Sequence, residues 1–200
     1  MASRDLHRFL HFGWNAARYA LGPLAAMLIP WVVMRHGTKA LWGEVVSVMI
    51  GVQLASHFLR WGSREMLPRV FAERPTAIPT IWTGSVITRL WLVPPVAIIL
   101  YFLVSGSAAI AIIWLVLLFV NNSFEPLAIW RKRFLHSFVI DAAGLAITLT
   151  GLFTSMDPTL DRVLQWVIIG QAARTLLLCA VFRSDISPTP KADTRMHLGE

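Results

Sequence analysis

Residues 108–120 read AAIAIIWLVLLFV, with no charged position. Polar side chains return only at Asn121, Asn122, Ser123 and Glu125, and the block runs to Ile129 before Arg131, Lys132 and Arg133. A stretch of about 20 apolar residues crosses the ~30 Å hydrocarbon layer of a bilayer as a helix. Lipid offers no hydrogen-bond partner, so the backbone of such a stretch satisfies itself within the helix. The block therefore reads as a membrane-spanning helix.

The same pattern recurs on both sides of it. Apolar blocks at 15–34, 41–61, 80–104, 108–129, 134–153 and 160–182 predict six spans. The expected fold class is all-α: a polytopic integral membrane protein with one six-helix bundle over 1–183 and a disordered cytoplasmic tail over 184–200. Composition agrees, with 56% hydrophobic and only 14% charged residues in 200 and a mean hydropathy of +0.62. Soluble domains carry about 25% charged residues. Trp31, Trp42, Trp61, Trp82 and Trp166 fall near block ends, where amphipathic rings favour the membrane interface. The polar opening Ser3–Arg4–Asp5 has no small-residue cleavage site, so no cleavable signal is expected.

The net charge of +7 does not point to nucleic acid. The basic residues form no continuous face with interleaved aromatics. They cluster between blocks: Arg4 and Arg8; Arg60, Arg64, Arg69 and Arg74; Arg131, Lys132 and Arg133; Arg183, Lys191 and Arg195. With six spans these all lie on one side, and the other side holds only Arg35, Lys39 and Arg162. The positive-inside bias then places both termini in the cytoplasm. Anionic lipid at the membrane surface is the expected partner. Within the 60–80 loop, Met66, Leu67, Val70 and Phe71 repeat at helical spacing among Arg64, Glu65, Arg69 and Glu73. This predicts an interfacial helix over 63–73. Pro94 and Pro95 sit mid-way along the third block and predict a kink.

Ionisable groups inside a bilayer cost about 2.5–3.5 kcal/mol each on insertion scales, so they need a partner or a wet cavity. At 1.5 Å per residue, Arg89 lies roughly 13 Å, Asp141 roughly 10 Å and Arg174 roughly 12 Å from the inner end of its span. Arg18 and Glu125 are shallower on the same side. Asn121 shares a helix face with Glu125, and Gln171 with Arg174. One reading is an inward-facing cationic pocket, with Arg18, Arg89 and Arg174 contacting phosphate and Asn121, Glu125, Asp141 and Gln171 completing it or carrying a coupling ion. Arginine suits a pyrophosphate because its planar fork binds oxygens in pairs. The other reading is structural: Arg18 snorkels to the head groups, while Arg89 and Arg174 pair with Asp141 and Glu125. His57 reads as interfacial, and Glu44 as a first-turn acid favoured by the helix dipole.

The chain has a single cysteine, Cys179, and no Cys-rich metal site. It lacks His-Glu-x-x-His, a phosphate loop and a Gly-x-Ser-x-Gly elbow. No enzyme activity, metal or cofactor is expected.

Gly22-Pro23-Leu24 and the run Arg35-His36-Gly37-Thr38-Lys39-Ala40-Leu41-Trp42-Gly43-Glu44 resemble the first hairpin of the polysaccharide flippases of the multidrug/oligosaccharidyl-lipid/polysaccharide exporter superfamily. Trp61-Gly62-Ser63-Arg64-Glu65-Met66-Leu67-Pro68-Arg69-Val70-Phe71 resembles that family's first cytoplasmic loop, and Thr88-Arg89-Leu90 fits its third span. The likeness covers roughly the first half of the chain by motif and the rest by hydropathy. It implies a bacterial inner-membrane protein that flips a polyprenyl-pyrophosphate-linked saccharide for polysaccharide biosynthesis, by alternating access between two six-helix lobes. This sequence holds one lobe. Either two copies pair as a homodimer, or a second membrane protein supplies the other lobe, or transport is lost and a structural or accessory membrane subunit remains. In the last case Ala143, Gly144, Ala146 and Gly151 offer a small-residue face for a partner.

Overall fold

Helix α1 (Ala2–His36) ends where the Gly37 N–H bonds back to the Val33 carbonyl at 2.8 Å. Thr38, in extended backbone, opens α2 (Lys39–Arg60) by accepting the Leu41 N–H on its side-chain oxygen at 3.2 Å. A threonine cap of this kind satisfies one of the free N–H groups of the first turn. The computed structural model describes residues 2–104, 106–155 and 159–187, with backbone only for 2–12. The expected tail therefore lies almost wholly outside the described residues; α9 runs through its first positions, to Ile186.

The described residues are helical throughout, with no strand. After α2, Gly62 adopts a left-handed conformation (φ 72°) that glycine takes without steric cost. It starts α3 (Ser63–Glu73), which buries Phe71, half-buries Leu67 and Val70, and leaves Arg64, Glu65, Arg69 and Glu73 exposed. A short 3-10 turn (Pro75–Ala77) leads to α4 (Ile78–Leu90) and α5 (Val93–Leu103). These two meet at a 43° bend. Pro94 and Pro95 have no N–H to give the carbonyls of Leu90 and Trp91, so the ladder stops there. The break lies just ahead of the prolines, at 91–92.

Helix α6 (Ala108–Ser123) and the short α7 (Glu125–Trp130) are parted at Phe124, and α8 (Phe134–Thr154) follows a three-residue turn in which Lys132 takes φ 53°. Helix α9 (Leu160–Ile186) starts at Thr159, which caps it through the Arg162 N–H. Five helical stretches are long and apolar enough to cross a membrane, and the bent α4–α5 pair passes as a sixth when taken as one span.

The contacts between elements define the two ends of the bundle. Phe71 of α3 packs in one cluster with Phe124, Leu127 and Ala128 around α7 and with Phe182 of α9. Asp185 at the end of α9 accepts ion contacts from Arg131 (2.5 Å) and Arg133 (3.7 Å) beside α7. At the opposite end, Ser107 donates to Asp161 at 2.9 Å, and both share a hollow with Glu44 and Gly43 of α2. The α4–α5 pair thus carries the chain from the end where α3 lies to the other.

Helices α8 and α9 pack closely at their glycines. A Cβ on Gly170 would sit 2.6 Å from the Gly144 carbonyl oxygen, and one on Gly151 would enter the Trp166 ring. Thr148 is buried in this seam and donates to the Gly144 carbonyl at 3.1 Å. Gly144 and Gly151 are thus used inside the chain, so half of the small-residue stripe expected to meet a partner packs on α9 instead. The outer surface is apolar: Phe102, Trp91 and Leu176 are 80%, 78% and 71% exposed. Such a surface is compatible with a hydrocarbon surrounding and unusual for one facing water.

Candidate functional site

Five long helices converge on one cavity of about 300 Å³. Helical spacing brings its walls together: Arg18, Gly22 and Ala25 on α1; Gln53 and Arg60 on α2; Trp114, Leu118 and Asn122 on α6; Asp141, Leu145 and Thr148 on α8; Val167, Gln171 and Arg174 on α9. Glu125 closes one end from α7. Small residues on α1 keep the space open, since neither Gly22, Ala25 nor Ala26 fills it.

Two carboxylates organise the charges. Asp141 holds two arginines, Arg18 through Nε–Oδ2 at 3.5 Å and Arg174 through Nε–Oδ1 at 2.6 Å. Their side chains are mostly buried. Glu125 takes Arg60 at 3.5 Å, Arg64 at 3.3 Å and the Tyr19 hydroxyl, which donates to Oε1 at 3.3 Å. Arg64 also donates to the Tyr19 oxygen and lies over its ring at 4.6 Å. Among the lining residues three arginines face two carboxylates, which leaves an excess positive charge.

The unpartnered atoms are informative. Apart from the Asp141–Arg174 contact, the buried polar side-chain atoms of the lining without a hydrogen bond are Arg18 Nη1, Arg60 Nε and Trp114 Nε1. All three are donors with no acceptor capacity. Trp114 is only 4% exposed, so bulk water does not satisfy it, and a buried donor left unmade costs about 1–3 kcal/mol. All three atoms are covered by protein, so a ligand in the cavity would reach them only if their side chains turned towards it.

Of the expected site residues, the fold brings Arg18, Glu125, Asp141, Gln171 and Arg174 to this cavity. Asn121 sits behind it, donating to Gln171 Oε1 at 2.8 Å while its own carbonyl oxygen accepts from Thr175 at 2.8 Å. That network fixes Gln171 and consumes Asn121. Arg89 lies elsewhere. It is half-buried and donates to the Trp61 carbonyl at 3.2 Å, beside a crevice between α4 and the α2–α3 junction. Neither Asp141 nor Glu125 pairs with it. Arg60 takes the place that the sequence assigned to Arg89. Arg60, Tyr19, Gln53 and Trp114 were not legible as site residues. Arg60 had been counted as a loop charge, although it follows Gln53 by seven residues, two turns along the same face. His57 faces outward with Nδ1 2.9 Å from the Gln53 carbonyl oxygen, and Glu44 lies at the far end of the bundle. Among the described residues no group of three His, Cys, Asp or Glu is placed to hold a metal.

No protein-family model, curated protein or solved structure matches the chain.

Proposed function

We propose that this is a six-span membrane protein that binds the phosphate-bearing headgroup of a lipid in the arginine-lined cavity, as one lobe of a flippase-like half-transporter for a polyprenyl-pyrophosphate-linked saccharide. The observation that carries the reading is one cavity lined by Arg18, Arg60 and Arg174 against the two carboxylates Asp141 and Glu125, an excess of positive charge inside an apolar bundle. A diphosphate presents several acceptor oxygens and negative charge, and arginine forks match both. The volume of about 300 Å³ is at the small end for a ligand pocket. It suits a headgroup and leaves the saccharide outside, where a second lobe, from another copy or another protein, would complete the path. With both termini in the cytoplasm, the cavity sits in the inner half of the bacterial inner membrane, where such lipids are loaded. Asp141 and Glu125, already ion-paired, would exchange partners as the ligand's oxygens arrive and leave, and either is a candidate for carrying a coupling proton.

The alternative, a non-transporting accessory subunit, is supported by the fact that both carboxylates are paired. Pairing alone leaves the arginines of the lining in excess of its carboxylates.

The test is binding of geranylgeranyl pyrophosphate to the purified protein in neutral-lipid nanodiscs, read by native mass spectrometry. Loss of a charge-assisted hydrogen bond costs about 1.5–3 kcal/mol, so Arg18→Gln and Arg174→Gln each weaken binding by roughly 10- to 100-fold. Arg89→Gln leaves it within about twofold, because Arg89 is bonded outside the cavity. Equal affinity in all four proteins would leave the accessory subunit as the better reading. The same spectra report whether a second copy is bound.

A further inference from the structure

Between α1 and α2 the cavity shares a wall with a second hollow. Ala26, Met49 and Gln53 line the cavity on one side and the second hollow on the other. That second hollow, of about 530 Å³, opens on the outer surface of the bundle. Its remaining walls are Pro30 from α1 and Val46, Ile50 and Leu54 from α2, with His57 at one rim. Ile50 and Leu54 are more than half exposed.

The order of polarity along this cleft is that of a lipid leaflet. Arg18 and Arg60 mark one end of the two adjoining hollows. Pro30 lies twelve residues beyond Arg18, roughly 18 Å along the helix, and Val46 lies fourteen residues before Arg60, roughly 21 Å away. The lining thus passes from guanidinium groups through Gln53, common to both hollows, to an apolar hollow open on the outer surface. Proline at 30 cannot donate to the Ala26 carbonyl, so α1 lacks a rung at the junction between the two hollows. A water-soluble phosphate would use the arginine end and have no use for the rest.

The geometry points to the α1–α2 cleft as a lateral seat for the hydrocarbon tail of a lipid whose phosphate occupies the arginine cavity. The inference rests on the headgroup reading above and adds where the tail lies and by which side the lipid arrives. It enters sideways from the leaflet between α1 and α2, with no need to leave the hydrocarbon layer. Gln53 stands between the two hollows, and the arginines that line the cavity take the phosphate.

The experiment uses the full chain in phosphatidylcholine nanodiscs with a polyprenyl phosphate that carries a diazirine in its tail. After illumination, adducts are mapped by mass spectrometry, and inorganic pyrophosphate binding is measured in parallel as the tail-free probe. Adducts are expected on α1 around Ala26 and Pro30 and on α2 between Val46 and Leu54, and their yield falls at least tenfold in Arg18→Gln. A second variant, Ile50→Trp, fills the outer cleft at an exposed position and leaves the charged end untouched. It is expected to suppress those adducts at least fivefold while pyrophosphate binding stays within twofold. Adducts spread evenly over outward positions such as Ile98 and Phe102 of α5, insensitive to Ile50→Trp, would overturn the tail seat. If pyrophosphate binding still depends on Arg18 in that case, the headgroup cavity survives alone. Pyrophosphate binding that ignores Arg18→Gln would remove the cavity reading itself, and the inference with it.

Discussion

Asp141 is the side chain on which the charged cluster turns. It lies between Arg18 and Arg174, and no other carboxylate among the described residues pairs with either. Replacing it by asparagine keeps the shape and removes the charge, leaving two mostly buried guanidinium groups facing each other. Removing one partner of a buried ion pair typically costs about 3–5 kcal/mol. Asp141→Asn is therefore expected to lower the thermal midpoint in detergent clearly. The double variant Asp141→Asn/Arg18→Gln should recover part of the loss, since it removes one of the stranded charges. A double variant that is additive would show that Arg18 and Asp141 do not share an energetic unit. At this scale the sequence carried much of the site. Charge inside an apolar block is expensive, so Arg18, Asp141 and Arg174 are visible as residues needing partners. Which partner each one finds depends on helix rotation and on the angle at which spans cross. Neither is encoded in spacing along one helix, and Arg89 and Arg60 changed places for that reason.

Among the elements, the α8–α9 seam has no room for added volume at its glycines. A side chain at Gly170 meets the Thr148 hydroxyl and the backbone oxygen of Gly144, which cannot rotate away. Overpacking of this sort costs about 1–3 kcal/mol, and Gly170→Val lies at the upper end because its branch falls on backbone. Gly84 in α4 has open space where a Cβ would go, so Gly84→Ala is expected to be neutral or to stabilise by up to about 1 kcal/mol through helix propensity. Protease resistance and thermal midpoints of the two variants, measured side by side in the same detergent, check the contrast. Equal stability would mean that α8 and α9 are not packed through these glycines. The apolar blocks made the helices easy to place in the sequence. The seam was harder to read, because a stripe of small residues serves equally for a partner chain or for a neighbouring helix. Gly170 and Trp166, which settle the matter for Gly144 and Gly151, come from a different span.

At the scale of the whole molecule, the question is how many times the chain crosses the membrane. Helices α4 and α5, of 13 and 11 residues, are each shorter than the ~20 residues a crossing needs. The bend between them makes the pair either one broken span or a re-entrant element. The bundle favours a crossing, because α3 and α7 share one cluster at one end while Ser107, just after α5, bonds Asp161 at the other. Single cysteines in a Cys179→Ala background separate the two arrangements. Arg69, Lys132, Lys39 and Arg162 are all exposed, and each is replaced in turn by cysteine and offered a membrane-impermeant maleimide in spheroplasts. With six crossings and both termini inside, Lys39→Cys and Arg162→Cys react from outside, and Arg69→Cys and Lys132→Cys react only after lysis. With a re-entrant α4–α5 pair the second half of the chain inverts: Lys132→Cys reacts from outside and Arg162→Cys does not. The outcome bears directly on function. The cavity takes Arg18 and Arg60 from the first half and Asp141 and Arg174 from the second. These side chains meet at one depth only if the two halves are threaded in the six-crossing sense, so a reversed Lys132 result would dissolve the site along with the topology.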